Sequence, residues 1–439
     1  MGDGLARGLP FATGSHPDVV EEHLEEAAFL YGQRRHLGAT GRATWDRLRR
    51  VEGRFLAHLD GLVVAGPEAW PLVRTALDDG VPDVAHAAVR LRCRAGDLDG
   101  ALQLAGQLEG APGAGAVDAL VHEAAPGWAD RLGAELGTGE PRRVRVAASV
   151  AAALRVGGAA LLRALDRSDD PETEVALVRA LGALRYPPAR HVLGRRALAS
   201  PRPGVARAAE SALVRFGDAR ALEAAGPRAR DEPRAALVLG LLGGPPHGAR
   251  LADAARSGGP GGPVALGVLG DPAHVPLLLD LLDDPTAAEA AALALRVLTG
   301  APLAEEAVVP DDPAAPDLGG DVAVRPSQRS DDWRAWWAGR GAGLRDGTRY
   351  RAGRPFAPAV AVSAPVGGLA DDLLPAPLRG ALADELAGRY GLDAPFRADA
   401  FVTDQEDALA ALAAAAGRVR AREGAWASRP PPDAPRAGS

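Results

Sequence analysis

Histidine is the side chain here that could most readily bind a metal, and its spacing argues against a metal site. Nine histidines are scattered along the chain, and His122-Glu123 is the one His-Glu dipeptide. An iron site on a helical-repeat scaffold would need several such pairs in separate repeats, because a metal takes its ligands from more than one element. We therefore predict no metal and no cofactor.

Cysteine chemistry and phosphate binding are equally poorly supported. Cys93 lies between Arg92 and Arg94, which would lower the pKa of an exposed thiol; a buried, inert thiol is the alternative that we favour. The GGPGGP run at 258–263 lacks both the Lys of a Walker motif and a preceding strand. The chain has no G-x-S-x-G motif and no Cys/His/Asn arrangement, so we predict that it is not an enzyme.

Arginine offers a better candidate, for binding rather than catalysis. Arg190, Arg195 and Arg196 lie in PARHVLGRRAL, which we predict to be the second helix of a repeat. Second helices of solenoids usually line the groove that binds a partner, and guanidinium groups bind anionic surfaces well. The alternative is that these side chains are solvated and pack their aliphatic stems on the neighbouring repeat.

Three tryptophans form the other candidate binding group. Trp333, Trp336 and Trp337 follow an i, i+3, i+4 spacing, which places them on one face of a helix. Such a stripe either docks a partner or anchors a terminal helix on its own domain.

The net charge of −7 conceals two opposed segments. Residues 141–230 carry a net charge of +9 and residues 301–332 a net charge of −6. This asymmetry indicates an intramolecular contact or an anionic partner such as a protein with an acidic surface; the alternative that we favour is that Arg lines the solvated faces of alternating helices. Nucleic acid is disfavoured because the chain is acidic overall and its aromatic residues do not alternate with Arg. Since the chain contains no Lys, abundant Arg is by itself weak evidence of anion recognition.

Repeated blocks must position these candidates. Six blocks recur at intervals of 27, 32, 26, 27 and 27 residues. They are centred on Leu154, Leu181, Leu213, Leu239, Leu266 and Leu293. Helical spacing within the blocks and Gly/Pro breaks between them predict paired short helices. This period predicts an all-α fold, an α-solenoid of HEAT-like helical repeats with a distinct N-terminal helical cap and a small C-terminal region.

The composition also divides the chain into regions. They are a disordered N-terminus at 1–17, an N-terminal helical region at 18–96, the repeat solenoid at 97–300, an acidic Pro-rich linker at 301–332, a C-terminal region at 333–425 and a disordered tail at 426–439. The first two helices are predicted at 18–37 and 43–60. Strand-like runs occur only at 322–327 and 358–365.

Targeting signals are weak throughout the sequence. The N-terminus lacks the continuous apolar run of a signal peptide, and every apolar stretch is interrupted before the ~18 residues of a membrane span. The single cysteine excludes an internal disulfide. We therefore predict a cytoplasmic protein that does not enter a membrane.

Three segments carry a family resemblance. HLEEAAFLYGQRR at 23–35, RFLAHLDGLVVAG at 54–66 and AALALRVLTGAPL at 291–303 are similar to a bacterial HEAT-repeat family of unassigned function, some members of which are encoded near type VI secretion clusters. Tyr31 stands where that family has Trp. The repeat block also resembles the short HEAT repeats of bilin-lyase-like proteins, through Asp170-Pro171 and residues 266–272. The resemblance implies the fold and no catalytic residues.

We expect a non-enzymatic protein-interaction scaffold or adaptor, and an association with a type VI secretion apparatus follows from the resemblance alone. One alternative is an enzyme or modifying factor of the bilin-lyase or base-excision type. It would need a buried carboxylate beside Arg and an aromatic residue such as Trp128 or Tyr186. The other is an immunity or inhibitor protein whose acidic segment at 301–332 covers a basic target.

Overall fold

A computed structural model describes residues 17–40, 44–310 and 320–426. Apart from Pro17 and Trp426, the segments predicted to be disordered lie outside these residues. The described part is predominantly α-helical, which confirms the predicted all-α fold class.

Contacts divide the chain into two compact units. In the described part, the first unit comprises 17–33 and 51–123, and the second comprises 34–50 and 124–426. The first helices of the chain are α1 (Pro17–Thr40), α2 (Trp45–Ala65), α3 (Ala69–Leu77), α4 (Pro82–Arg94), α5 (Leu98–Gln107) and α6 (Gly110–His122). The helices predicted at 18–37 and 43–60 are thus confirmed, and their apolar faces are buried.

Paired helices follow in the second unit. They are α7 (Ala129–Gly137), α8 (Pro141–Leu154), α9 (Gly158–Arg167), α10 (Pro171–Ala183), α11 (Arg190–Ala199), α12 (Pro203–Arg215), α13 (Ala219–Ala225), α14 (Pro233–Leu242), α15 (Pro245–Arg256), α16 (Gly262–Leu269), α17 (Val275–Leu281) and α18 (Ala288–Thr299). Each Leu-centred block lies toward the end of an even-numbered helix from α8 to α18. The Asp170 carboxylate accepts the Thr173 N–H at the start of α10, as an N-cap followed by Pro should.

The even-numbered helices from α8 to α18 form one packed layer, and the odd-numbered helices α9 to α17 each pack on the helix that follows. Leu181, Leu213 and Leu266 are fully buried within the layer. Glycine allows the closest approach: a Cβ on Gly182 would lie 2.4 Å from the Cβ of Ala212. Small residues therefore set the spacing between consecutive even-numbered helices of this layer.

The segment after α18 corrects the predicted linker. Strand β1 (Ala304–Pro310) pairs antiparallel with β2 (Gly320–Pro326), with Val308 opposite Val322. The strand predicted at 322–327 is confirmed, whereas a linker without secondary structure is wrong for the described part of 301–332. The run predicted as a strand at 358–365 is also wrong, because Pro358 occupies the first turn of a helix, Pro358–Ser363.

The C-terminal region packs on the layer of even-numbered helices. It contains α19 (Ser330–Arg340), β3 (Tyr350–Arg351), β4 (Arg354–Pro355), α20 (Pro358–Ser363), α21 (Ala376–Tyr390) and α22 (Val402–Ala416). Helix α21 contacts α12 and α14. The backbone N–H groups of Tyr350 and Ala352 donate to the carbonyls of Gly270 and Val297, over 2.7 and 2.9 Å. The ends of α16 and α18 are therefore capped by this region.

Candidate functional site

The three arginines predicted to bind a partner differ in their surroundings. All three lie on α11. Arg190 Nε donates to Asp218 Oδ2 at 2.7 Å, and Arg196 lies 3.6 Å from Glu174. Arg195 is exposed, and no ion pair of the described residues includes it. Arg190 thus contacts the start of α13 in the next repeat and Arg196 lies near Glu174 on α10, which leaves Arg195 to face solvent.

Asp218 shows how firmly Arg190 is held. Its carboxylate accepts from Arg190, from the Arg220 side chain and from the Arg220 backbone N–H at the start of α13. Burial alone would raise the pKa of Asp218, but these hydrogen bonds hold it well below its usual value. Arg190 is therefore held by a firmly ionised carboxylate, although 44% of its side chain stays exposed.

Arg–carboxylate ion pairs like this one link successive repeats and neutralise much of the positive charge of 141–230. We call this set the inter-repeat ladder, and its members have N–O distances of 2.7–2.9 Å. They are Arg145–Asp170, Arg202–Glu174, Arg190–Asp218 and Arg207–Glu232. Counting the other pairs, at least eleven of the seventeen Arg in this segment meet a carboxylate.

Three of these eleven arginines bind the C-terminal region. Arg155, Arg185 and Arg215 lie at the C-terminal ends of α8, α10 and α12, at intervals of 30 residues. All three reach Asp393: Arg155 through two hydrogen bonds, Arg215 at 3.1 Å and Arg185 at 3.9 Å. Arg215 also pairs with Asp384 on α21. These three arginines therefore make intramolecular contacts, but with carboxylates outside the acidic segment 301–332.

The three tryptophans lie on α19, and one of them is buried while the other two are partly accessible. Trp333 is 1% exposed, and its indole Nε1 donates to the Ser327 carbonyl at 2.6 Å. Trp336 and Trp337 are half-buried, and the Trp337 ring covers Gly341. Trp333 therefore anchors α19, and the other two retain some accessible surface.

The exposed face of α11 is the part of the predicted site that remains open to a partner. His191, Arg195 and Leu198 are all exposed, and their i, i+4, i+7 spacing places them on one face of the helix. Leu198 is 45% exposed and is one of few large apolar side chains in that state among the described residues. A cation beside an aliphatic side chain is a combination that protein interfaces use.

No protein-family model, curated protein or solved structure matches this chain. The family resemblance of residues 23–35, 54–66 and 291–303 therefore stays a prediction, and the candidate site depends on geometry alone.

A cavity of about 360 Å³ lies between two repeats of the second unit. Its walls are Leu136, Gly139, Pro141, Val144, Ala164, Arg167, Ser168, Asp169, Asp170 and Thr173. Arg167 donates to the Leu136 carbonyl at 3.4 Å, and Asp170 and Thr173 bond to each other. The cavity has an apolar wall and a polar rim, and its volume is at the lower end for small ligands or a partner side chain.

The first unit contains a polar cluster that the sequence analysis missed. The rings of Tyr31 and His86 stack with centroids 3.4 Å apart. The Tyr31 hydroxyl donates to Asp118 at 3.1 Å, and His86 Nε2 and His122 Nδ1 share a 3.2 Å hydrogen bond. His86 and His122 are 36 residues apart, so no local motif marks them. His86 is fully buried, which makes the cluster part of the core.

Cys93 also belongs to the first unit, and its flanking arginines do not activate it. Arg90 and Arg94 both bind the Glu123 carboxylate. Burial and the Glu123 charge raise the pKa of the Cys93 thiol to about 12, despite the nearby Arg90. Within the described residues no group of three or more His, Cys, Asp or Glu side chains is arranged to hold a metal ion.

Two further observations bear on the alternatives. No hydrogen bond of the described residues joins Trp128 or Tyr186 to a carboxylate, although the enzyme alternative asks only that a buried Asp or Glu lie near one of these rings. No helix of the described ranges is both long enough and apolar enough to cross a membrane.

The most deeply buried charges lie where the C-terminal region meets α14 and α16. We call this set the junction cluster: Arg349, Arg351, Glu385 and Arg389. The first three side chains are 0% exposed. Glu385 contacts Arg349 and lies 3.2 Å from Arg351 and 3.3 Å from Arg389. Burial alone would raise the pKa of Glu385, but the three guanidinium groups hold it below its usual value.

Proposed function

We propose that this protein is a non-enzymatic protein-interaction scaffold of HEAT-like repeats, and that the exposed face of α11 binds an acidic surface of another protein. The observation that carries the proposal is the difference between Arg195 and its neighbours. Arg190 and Arg196 meet carboxylates of neighbouring helices, while Arg195 points to solvent beside Leu198. A rigid helix that presents one free cation and one apolar side chain suits a protein partner.

The charge distribution supports a protein over a nucleic acid. A nucleic-acid surface needs many unpaired cations along one face, whereas the inter-repeat ladder and Asp393 occupy much of the Arg of this segment. The net charge of −7 adds long-range repulsion of phosphate. A localised acidic patch on a protein requires only a few free cations.

The cavity lined by Val144, Ala164 and Arg167 offers a second contact. Its volume of about 360 Å³ and its apolar wall suit a single large side chain of a partner, and Arg167 at the rim could bind a nearby carboxylate. We include this cavity in the proposed interface as the place for an apolar anchor.

The cellular setting is proposed on narrower grounds. The resemblance of residues 23–35, 54–66 and 291–303 to a family with members near type VI secretion clusters supports an adaptor role in such an apparatus, within the cytoplasm. The α11 face does not depend on this setting.

Quantitative co-purification from native extract tests the proposal. Full-length tagged protein is compared with an Arg195→Glu/Leu198→Asp variant. The matched control is Arg256→Glu, which changes an exposed cation on another second helix, α15. We expect at least one partner with an acidic surface to be lost from the α11 variant by about tenfold or more and retained by the control. If no protein is lost selectively and the wild type is monomeric and unaccompanied, the proposal fails.

A further inference from the structure

The junction cluster carries more positive charge than its protein partners neutralise. Arg349, Arg351 and Arg389 each bear a full positive charge, and Glu385 is the carboxylate that contacts all three. The nearby Asp371 is already bound by Arg296 through two hydrogen bonds of 2.5 and 2.8 Å. Asp384 pairs with Arg215. One carboxylate therefore serves three guanidinium groups.

Helix ends supply part of the missing negative charge. Arg349 Nε donates to the Leu269 carbonyl at 3.0 Å and Arg351 Nη2 to the Val268 carbonyl at 2.9 Å, both at the end of α16. Arg389 donates to the carbonyls of Leu241 and Gly243 at the end of α14. Each helix C-terminus acts as roughly half a negative charge. About one positive charge remains without compensation in a site removed from water.

Several N–H donors of the same groups also lack an acceptor. In the described part of the chain, Nη1 of Arg349 and both Nε and Nη1 of Arg351 are buried without a hydrogen-bond partner. The Phe356 ring covers both guanidinium groups, with centroid distances of 4.1 and 5.2 Å. A ring face attracts a cation but accepts no in-plane N–H. Buried unsatisfied donors and uncompensated buried charge are both strongly unfavourable.

We propose that the junction cluster is a binding site for one small monovalent anion, chloride under ordinary conditions, which Arg349 and Arg351 hold through their remaining N–H groups. One anion supplies both the missing acceptor and the missing negative charge. A water molecule would supply only the acceptor. The low pKa of Arg389, brought to about 9 by burial and by repulsion from Arg349, reflects the same excess of positive charge.

Anion-dependent stability of the full-length protein tests this site. Thermal unfolding is measured in sodium chloride and in sodium gluconate of equal ionic strength, since gluconate is too large for an enclosed site. We expect a higher Tm in chloride. Once the site is above half saturation, each further tenfold rise in chloride should raise Tm by about 1.5 °C. Equal Tm values in the two salts would overturn the proposal.

Variants locate the effect within the protein. Arg351→Met removes one charge and two of the three unsatisfied nitrogens, so the chloride dependence should disappear. Arg379→Met is the matched control, because Arg379 is also buried but bonds to Gln405 instead of the cluster; it should retain the dependence. A chloride effect that survives Arg351→Met would place the anion elsewhere and refute the assignment.

Bromide supplies a readout that needs no variant. In crystals of the wild-type protein grown in sodium bromide, we expect an anomalous-scattering peak within hydrogen-bond distance of Arg349 Nη1 or Arg351. Density for a water molecule alone at that position would overturn the proposal, whether or not Arg351→Met folds.

Discussion

The inter-repeat ladder and the junction cluster use the same pair of chemical groups in opposite surroundings. In the ladder, the side chains of Arg207 and Glu232 remain 49% and 28% exposed. In the junction cluster, Arg349 and Glu385 are completely buried. Water screens an exposed ladder pair such as this one, so it adds little to the free energy of unfolding. The buried groups are coupled strongly, because removing one leaves the other charged and unsolvated.

This comparison separates two roles for arginine in a chain without lysine. The ladder sets the register between repeats, and each of its exposed pairs contributes little to the free energy of unfolding. The junction cluster fixes the C-terminal region to α14 and α16 and makes the two parts cooperative.

The largest effect is expected from Glu385→Gln. This change removes the carboxylate and leaves Arg349 and Arg351 buried with less compensation. We expect the free energy of unfolding to fall by about 3–5 kcal/mol, measured by urea denaturation at pH 7. Glu406→Gln is the control, since its pair with Arg49 is 45–47% exposed and its loss should be minor. If Glu385→Gln lowers the unfolding free energy by no more than the control variant does, the cluster is not stabilising.

Acid should remove the same stabilisation. Because the pKa of Glu385 is lower in the folded state than in the unfolded chain, its contribution is fully present above about pH 4.3 and is lost as the pH falls through the folded-state value. The difference in unfolding free energy between wild type and Glu385→Gln should therefore shrink as the pH is lowered from 5 toward 2. A difference that stays constant would assign the effect of the variant to packing.

An intermediate effect is expected from Asp393→Asn. Asp393 is buried, but the side chains of Arg155, Arg185 and Arg215 that reach it are 16–20% exposed. We expect a loss of about 1–3 kcal/mol, with faster hydrogen exchange in α21 than in α12. Asp399→Asn, at a carboxylate that is 67% exposed, should leave both measurements close to wild type.

The smallest effect is expected within the ladder. Arg207→Gln removes a partly exposed pair with Glu232, so the unfolding free energy should change by less than about 1 kcal/mol. That change should diminish further in 0.5 M salt, because exposed pairs are screened. A loss as large as that of Glu385→Gln would remove the distinction between the two regions.

The repeat helices were predictable because their signals are local. Asp170-Pro171 marks the start of α10, and the buried Leu181, Leu213 and Leu266 follow the helical period. Strand β2 was predicted, but β1 and its pairing with β2 were missed because 301–321 is rich in Pro and Asp and carries no periodicity. At Pro358, apolar alternation indicated a strand, but proline at the first turn favoured a helix.

The candidate site was predictable only in part. The Arg positions on α11 were found, but their partners Asp218 and Glu174 lie on other helices and could not be inferred from composition. The contact of Arg155 with Asp393 spans 238 residues. One signal was present: Arg155, Arg185 and Arg215 lie at the ends of three repeat helices, at a spacing of 30 residues. The junction cluster has no such periodicity.

The convergence of Arg155, Arg185 and Arg215 on Asp393 has a consequence for evolution and design. Arrays of stacked repeats commonly gain and lose units, because each unit contacts only its neighbours. Here one arginine from each of three consecutive units contacts the same carboxylate, that of Asp393. Inserting or deleting a unit between α8 and α12 would carry at least one guanidinium out of reach. The contacts with the C-terminal region therefore constrain the number of repeats. Between α8 and α12, we expect amino-acid substitutions to be tolerated far better than duplication of a repeat.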